Sequence, residues 1–169
     1  RIRKSVPDEP ARIVDIGTGG GAIAGSLADA FPRARITATD VSDRALANAR
    51  INIENFCMLK RIELVKTDLY RGLKGRFDLI VSNPPYIPRD RIPTLPKSVR
   101  EFEPIRALDG GAGGIQFIMR LARGAGSRLA AGGVIGLEID EDSVAALTGH
   151  LQSMPDPYRF DKDLYGRYR

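Results

Sequence analysis

Arg12-Ile13-Val14-Asp15-Ile16-Gly17-Thr18-Gly19-Gly20-Gly21-Ala22 decides the fold. The first five residues form a short run of the apolar and β-branched kind that enters a buried strand. The glycines that follow must form a turn. From Ala22 to Ala30 the chain carries helix formers, with apolar residues at Ile23, Leu27 and Ala30, and Phe31-Pro32 ends it. The same strand–turn–helix succession repeats downstream. Arg35–Thr39 is expected as a second strand closing on Asp40, and Ser42 is placed to cap a helix from Asp43 to about Asn55. Arg61–Val65 reads as a third strand followed by Asp68, and Phe77–Ser82 as a fourth. A helix from Ile115 to about Ala130, a strand Val134–Ile139 and a helix Asp140–Gln152 complete the alternation. Tyr158–Asp161 and Tyr165–Arg169 read as a closing hairpin. Alternation of this kind implies an α/β fold, with a mostly parallel sheet covered on both faces.

Three stretches stand outside the alternation. Arg1–Glu9 is polar and runs into Pro10, so residues 1–10 read as a leader or linker and 11–169 as one catalytic domain. Ile87–Pro104 is long, polar and punctuated by proline, which suits a loop or lid. Asp109-Gly110-Gly111-Ala112-Gly113-Gly114 reads as a turn.

Composition narrows the function classes. No run of about 18 apolar residues is present, so no membrane span is expected. Neither is there a basic-then-apolar secretory signal. Cys57 is the single cysteine, which excludes an internal disulfide and suits a reducing, cytoplasmic setting. With His150 as the single histidine, no zinc cluster of the usual ligands is expected and no metal site is assigned. The formal charge is +5, mostly from arginine. The arginines are scattered along the chain, so a solvated surface is expected rather than a nucleic-acid stripe.

The glycine turn carries the first chemistry. Glycines allow a backbone to approach a ligand without Cβ clashes, and a helix N-terminus adds free N–H groups. Gly17-x-Gly19-x-x-Ala22 also satisfies the dinucleotide fingerprint, so the turn alone does not separate a nicotinamide dinucleotide from S-adenosylmethionine. Asp15 separates them. A carboxylate beside a pyrophosphate is repelled, whereas beside the cationic amino acid end of S-adenosylmethionine it is favourable. Asp40, some twenty residues on, is placed to accept ribose hydroxyls. Asp68 is placed to accept from an adenine amine, with Leu69 over the ring.

The fourth strand runs straight into Ser82-Asn83-Pro84-Pro85-Tyr86. Two prolines cannot continue a sheet, because they lack N–H donors. In open α/β sheets the crevice beyond the strand carboxyl ends is where ligands bind. Asn-Pro-Pro-Tyr resembles the signature of S-adenosylmethionine-dependent enzymes that methylate a planar, conjugated nitrogen. For that chemistry the Asn83 side-chain oxygen and the Pro84 carbonyl would each accept one N–H of the target. Tyr86 would pack on its flat face. Methyl transfer is then an in-line displacement that depends on positioning and electrostatics.

Taken together, the chain resembles the release-factor glutamine methyltransferases, the HemK/PrmC group. The resemblance rests on Val14–Gly19 with Ala22-Ile23-Ala24, on Ile80–Ile87, and on Glu103-Pro104 with Ala107–Gly114. Gly132-Gly133 with Leu137-Glu138-Ile139, and Asp163–Arg167, extend it. It implies a class I, Rossmann-like methyltransferase fold with a seven-stranded sheet and an antiparallel C-terminal hairpin. The implied activity is methylation of the glutamine amide in the Gly-Gly-Gln loop of class I peptide chain release factors, with S-adenosylhomocysteine as the spent cofactor. The implied cofactor set is Asp15, Gly17, Thr18, Gly19, Gly20, Gly21, Asp40, Val41, Asp68, Leu69 and Asn83. The implied substrate set is Asn83, Pro84, Pro85, Tyr86 and Glu103, with Asn83, Pro84 and Tyr86 catalytic. No membrane and no direct nucleic-acid partner are expected, and a monomer is favoured. The helical N-terminal domain and the Pro-Arg-x-x-Thr-Glu segment of that group are not found in these 169 residues, and Ala112 stands where an acidic residue is usual.

Two competitors share part of this pattern. Methylation of an exocyclic base amine, such as that of adenine, uses the same catalytic loop, but predicts an added recognition region or a focused basic surface. A nucleotide-binding oxidoreductase or a non-catalytic binding module leaves Asn-Pro-Pro-Tyr without a role.

Overall fold

The protein is described by a computed structural model covering residues 9–55 and 60–168. Residues 1–8, most of the stretch expected as a leader or linker, and Cys57 lie outside the described residues. The chain forms two compact units: Arg1–Asn83 with Gly124–Gly136, and Pro84–Arg123 with Leu137–Arg169.

The first unit holds the sheet. Its elements are β1 (Arg12–Ile16), α1 (Ala22–Ala30), β2 (Arg35–Asp40), α2 (Asp43–Asn55), β3 (Ile62–Lys66), β4 (Phe77–Ser82) and β5 (Leu129–Leu137). The strand order is β3-β2-β1-β4-β5, with β1 parallel to both β2 and β4 and β2 parallel to β3. Side chains alternate across a sheet, so each strand offers two faces. Ile13, Ile36, Ala38, Leu79 and Val81 pack on Ala24, Leu27 and Ala28 of α1 and Ala49 and Ile53 of α2. Val14 and Ile80, partners in register on the opposite face, are fully buried as well. Burial on both faces explains why these strands read as continuous apolar runs.

The second unit is built from short pieces. They are a 3-10 helix Arg89–Thr94, α3 (Lys97–Arg100), α4 (Ile105–Leu108), a 3-10 turn Ala112–Gly114, α5 (Gln116–Ala125), a 3-10 turn Glu141–Ser143 and α6 (Val144–Leu151). Its core gathers Ile118, Met119, Ile139 and Leu147, with Tyr86, Leu137, Val144 and Phe160 against them. Among the described residues no helix is long and apolar enough to cross a membrane.

The α/β architecture with its parallel sheet agrees with the sequence, and several details differ. The sheet has five strands among the described residues, not seven. The closing hairpin is one antiparallel bridge, Lys162 to Tyr168. The Asp163 carboxylate accepts from the backbone N–H of Tyr165 and of Arg167, so the turn itself takes donors that a longer ladder would need. β5 starts at Leu129, five residues before the expected Val134, and Gly132-Gly133 lies inside it. The backbone of Phe77 already bonds Arg128 there, and a Cβ on Gly133 would come 2.8 Å from the Phe77 carbonyl oxygen, so glycine permits the close pairing. α5 stops at Ala125 instead of running on to Ala130, because the chain turns back through an Arg128 N–H to Ala125 C=O bond. Within Ile87–Pro104 the expected loop contains the 3-10 helix and α3, with Ile92 buried.

Candidate active site

Asp15, Thr18 and Gly17–Gly21 form one hydrogen-bonded device at the carboxyl end of β1. Asp15 is wholly buried. One carboxylate oxygen, Oδ2, accepts from the Thr18 hydroxyl at 2.6 Å and from the Ala24 N–H at 3.1 Å, so the acid caps the first turn of α1 from a distance. No side chain at Gly21 could do so; Gly21 is the N-cap residue, at φ +83, and an added Cβ would meet Ala49 at 3.3 Å. The other oxygen, Oδ1, is buried and has no hydrogen-bond partner among the described residues. Burial pushes the Asp15 carboxyl up to about 6, against the pull of its bonds to Thr18 and Ala24 and with a small push from Asp40.

The turn is tied to its neighbours on both sides. Thr39 of β2 accepts from the N–H of Gly17 and of Thr18, both at 2.8 Å. Asn52 of α2 donates its side-chain amide to the Gly20 carbonyl at 2.8 Å. Ser82, the last residue of β4, donates its hydroxyl to the Ile16 carbonyl at 2.6 Å. Thr39 and Asn52 do not stand out in the sequence, and Ser82 does so only as the residue that leads into Asn83. Gly19, at φ +55, has open space where a Cβ would stand.

Asp40 ends β2 beside this turn. Its Oδ2 accepts the Gly19 N–H at 3.0 Å and its Oδ1 accepts the Ser42 N–H at 2.9 Å. The carboxylate is thus fixed in orientation while each oxygen keeps lone-pair capacity. Ser42 in turn caps α2 through Ala45, as its sequence position suggests. Val41 is half exposed. The next strand end lies alongside, because the Thr67 N–H bonds the Asp40 carbonyl. Asp68 follows it, exposed, and Leu69 is the one non-glycine residue at positive φ (+49) among the described residues. A leucine held in the left-handed region costs roughly 1–2 kcal/mol, and such strain collects at ligand clamps.

Asn83 is exposed at the end of β4, directly after the bonded Ser82. Pro84, Pro85, Tyr86 and Glu103 belong to the second unit. There Pro84 is buried, Pro85 and Tyr86 are half-buried, and Glu103 is exposed. Gly110 and Gly114 close on the Tyr86 backbone. A Cβ on Gly110 would fall 2.8 Å from Tyr86 Cα, and one on Gly114 would fall 2.1 Å from the Tyr86 carbonyl oxygen. Ile87 bonds Leu108 and Gly110, and Arg89 bonds Gly111 through the backbone and Asp109 through its side chain at 2.9 Å. The Gly111 N–H, and then Arg89, hold the Asp109 carboxyl below its usual range. The segment expected as a simple turn therefore clamps the backbone from Tyr86 to Arg89.

The methyltransferase small domain family matches residues 3–94, more than half of the chain. The chain belongs to this methyltransferase family. Release factor glutamine methyltransferases are similar to it: that of Rhodopirellula baltica at 38% identity, over 100% of this chain and 59% of the relative, and that of Moorella thermoacetica at 44%, over 83% and 50%. A ribosomal protein uL3 glutamine methyltransferase of Neisseria gonorrhoeae is 42% identical over 75% of this chain and 42% of its own length. The methyltransferase thus spans about half the length of these curated relatives. The crystal structure of a methyltransferase from Pyrococcus furiosus superposes with TM-score 0.68 at 22% identity, covering 95% of this chain and 71% of that one. A ribosomal protein L11 methylase from Lactobacillus delbrueckii gives 0.66 at 22%, covering 99% and 70%. The fold is that of the class I methyltransferases.

Proposed function

We propose that this methyltransferase uses S-adenosylmethionine to methylate the glutamine side-chain amide in the Gly-Gly-Gln loop of peptide chain release factors. The observation that carries the reading is the Ser82–Ile16 bond, which sets Asn83 beside the glycine turn. The names of the relatives support the choice of release factor as substrate.

The residues fit the cofactor. Asp15 Oδ1 is a buried acceptor without a partner among the described residues, which suits a cationic amino group. Gly17, Thr18, Gly19, Gly20 and Gly21 leave the backbone open to close approach. Asp40 would accept ribose hydroxyls beside Val41, and Asp68 with Leu69 would receive the adenine. When bound, S-adenosylmethionine supplies an electrophilic sulfonium methyl group. The Asn83 oxygen and the Pro84 carbonyl each accept one N–H of the target amide and point its nitrogen. Those acceptors favour loss of planarity at that nitrogen, which frees its lone pair. Pro85 stiffens the loop, Tyr86 packs against the amide, and Glu103 contacts the release factor. In this reading residues 11–169 work together as one catalytic domain in the cytoplasm, with residues 1–10 as a leader or linker.

A second reading keeps the chemistry and changes the protein substrate: the relative from Neisseria gonorrhoeae is named for ribosomal protein uL3. Incubation with methyl-labelled S-adenosylmethionine and unmodified release factor, uL3 or duplex DNA separates them. Label on release factor is the expected result; label on uL3 alone moves the substrate, and label on DNA alone moves the enzyme to the base-amine class.

A further inference from the structure

Arginines that lie far apart in sequence stand in one file along the amino edge of the sheet. Arg12 and Arg35 are the first residues of β1 and β2, and they are direct partners in register. Arg61, Arg76 and Arg128 each stand one residue before β3, β4 and β5. Backbone bonds keep them in line: Ile36 N–H to the Arg61 carbonyl, and Phe77 N–H to the Arg128 carbonyl. In the strand order β3-β2-β1-β4-β5 the file reads Arg61, Arg35, Arg12, Arg76, Arg128. Neighbouring strands lie about 4.8 Å apart, so five of them span roughly 19 Å.

Four of these guanidinium groups are held by carbonyl oxygens. Arg12 donates to Lys74, Arg61 to Ala28 and Phe31, Arg76 to Leu129, and Arg128 to Leu73. Arg12 also lies over the Phe77 ring, at 5.1 Å, and a Cβ on Gly75 would strike it. A guanidinium has five N–H donors, so one or two such bonds fix its place and leave the rest for a ligand. Among the described residues none of the five pairs with a carboxylate. Among the described residues the acids near this edge make no ion pair with these guanidinium groups, although exposed Asp29 lies between Ala28 and Phe31, whose carbonyls hold Arg61. Asp78 accepts from the backbone of Ala11 and Arg12, Glu9 pairs with Arg33, and Glu63 is exposed on β3.

We propose that this amino edge binds the phosphodiester backbone of a folded RNA. A linear file of pre-oriented guanidinium groups matches a linear polyanion. Among the described residues, the exposed large apolar side chains (Val41, Ile51, Phe102, Ile105, Tyr158, Leu164 and Tyr165) are absent from these strand starts, so what the described strand starts offer a ligand is guanidinium groups. Contact is therefore with backbone and independent of sequence. The choice of RNA rests on the translation setting of the proposed function; the charged file does not. The edge lies at the strand ends opposite Asn83, so RNA held there leaves Asn83 free.

The test is fluorescence anisotropy with a labelled RNA hairpin, an equal-length DNA duplex and phosphatidylserine vesicles, across salt. The double variant Arg35→Glu/Arg76→Glu is expected to weaken hairpin binding at least tenfold and to flatten the slope of log affinity against log salt by about 2, near 0.9 per lost phosphate contact. The control Arg44→Glu/Arg50→Glu, on α2, changes net charge equally and is expected to bind like wild type. Melting temperature and methyl transfer to free protein substrate, read separately, report on folding and on the catalytic reading. Unchanged binding by the edge variant overturns the proposal, as does equal loss in the α2 control. Tighter binding of DNA or vesicles than of RNA also overturns it.

Discussion

The Ser82 hydroxyl donates to the Ile16 carbonyl across 2.6 Å, with Ser82 nearly buried. One bond joins the residue before Asn83 to the residue before the glycine turn. The last turn of sheet before the loop is fixed by a side chain, because β1 and β4 are paired in register only as far as Asp15 and Val81.

Ser82→Ala leaves the buried Ile16 carbonyl without that donor, at a cost of about 1–3 kcal/mol. The expected outcome is a lower melting temperature and a fall in kcat larger than any change in cofactor affinity. Ser82→Thr, which keeps the hydroxyl, should recover most of both. Steady-state kinetics with calorimetry checks this; an alanine variant with wild-type kcat would remove Ser82 from the positioning role.

Asp15 makes stability and cofactor binding depend on pH in opposite senses. Its carboxyl is raised to about 6 in the folded state, so between about pH 4 and 6 the folded form binds more protons than the unfolded form. Stability of the free protein from this group therefore falls as pH rises through that window, by on the order of 3 kcal/mol in all. A cationic amino group beside Oδ1 needs the carboxylate ionised, so affinity for S-adenosylmethionine should fall as pH drops below about 6. Asp15→Asn should abolish both trends. Thermal melts and calorimetry from pH 4.5 to 8 check them.

The glycines of the clamp are expected to be less replaceable than those of the turn. Gly114→Ala drives a Cβ into the Tyr86 carbonyl at a position with φ +72, where space and conformation both oppose it. Gly19→Ala meets no neighbour and only the strain of φ +55, roughly 1–2 kcal/mol. Denaturant melts should show the larger loss for Gly114→Ala, with the transfer rate falling alongside; equal losses would mean that the clamp yields.

Asp40→Ala removes a carboxylate that organises Gly19 and Ser42. Each hydrogen bond to a charged group is worth about 1.5–3 kcal/mol, so cofactor affinity should fall at least tenfold. Asp40→Asn, which keeps one accepting oxygen, should lie between. Unchanged affinity by calorimetry would place the ribose elsewhere.

Much of this was legible in the residues. The limits of α1 and of β4 coincide with the sequence reading, because Pro32 and Pro84 are hard stops. Asp15, the glycine turn, Asp40 and Ser82-Asn83 converge because a parallel sheet brings strand carboxyl ends to one edge. What escaped the reading depends on partners distant in sequence. Thr39 and Asn52 look ordinary until the strands align, and 110–114 reads as a turn until Tyr86 is set against it. The arginine file was hidden for the same reason, since strand starts are spread over more than a hundred residues and meet only in the sheet. The short C-terminal pairing was overestimated, because an aspartate that bonds its own turn looks, in sequence, like any hairpin residue.

The most direct test of the central claim is transfer of labelled methyl groups to release factor by wild type and by Asn83→Ala, with cofactor binding measured on both. Cofactor affinity is expected to be retained in the variant and transfer to fall by about 10²–10³, the scale for losing one positioned polar group. The label should vanish when the Gly-Gly-Gln glutamine of the release factor is replaced. Wild-type transfer by Asn83→Ala, or label that persists without that glutamine, would contradict the account.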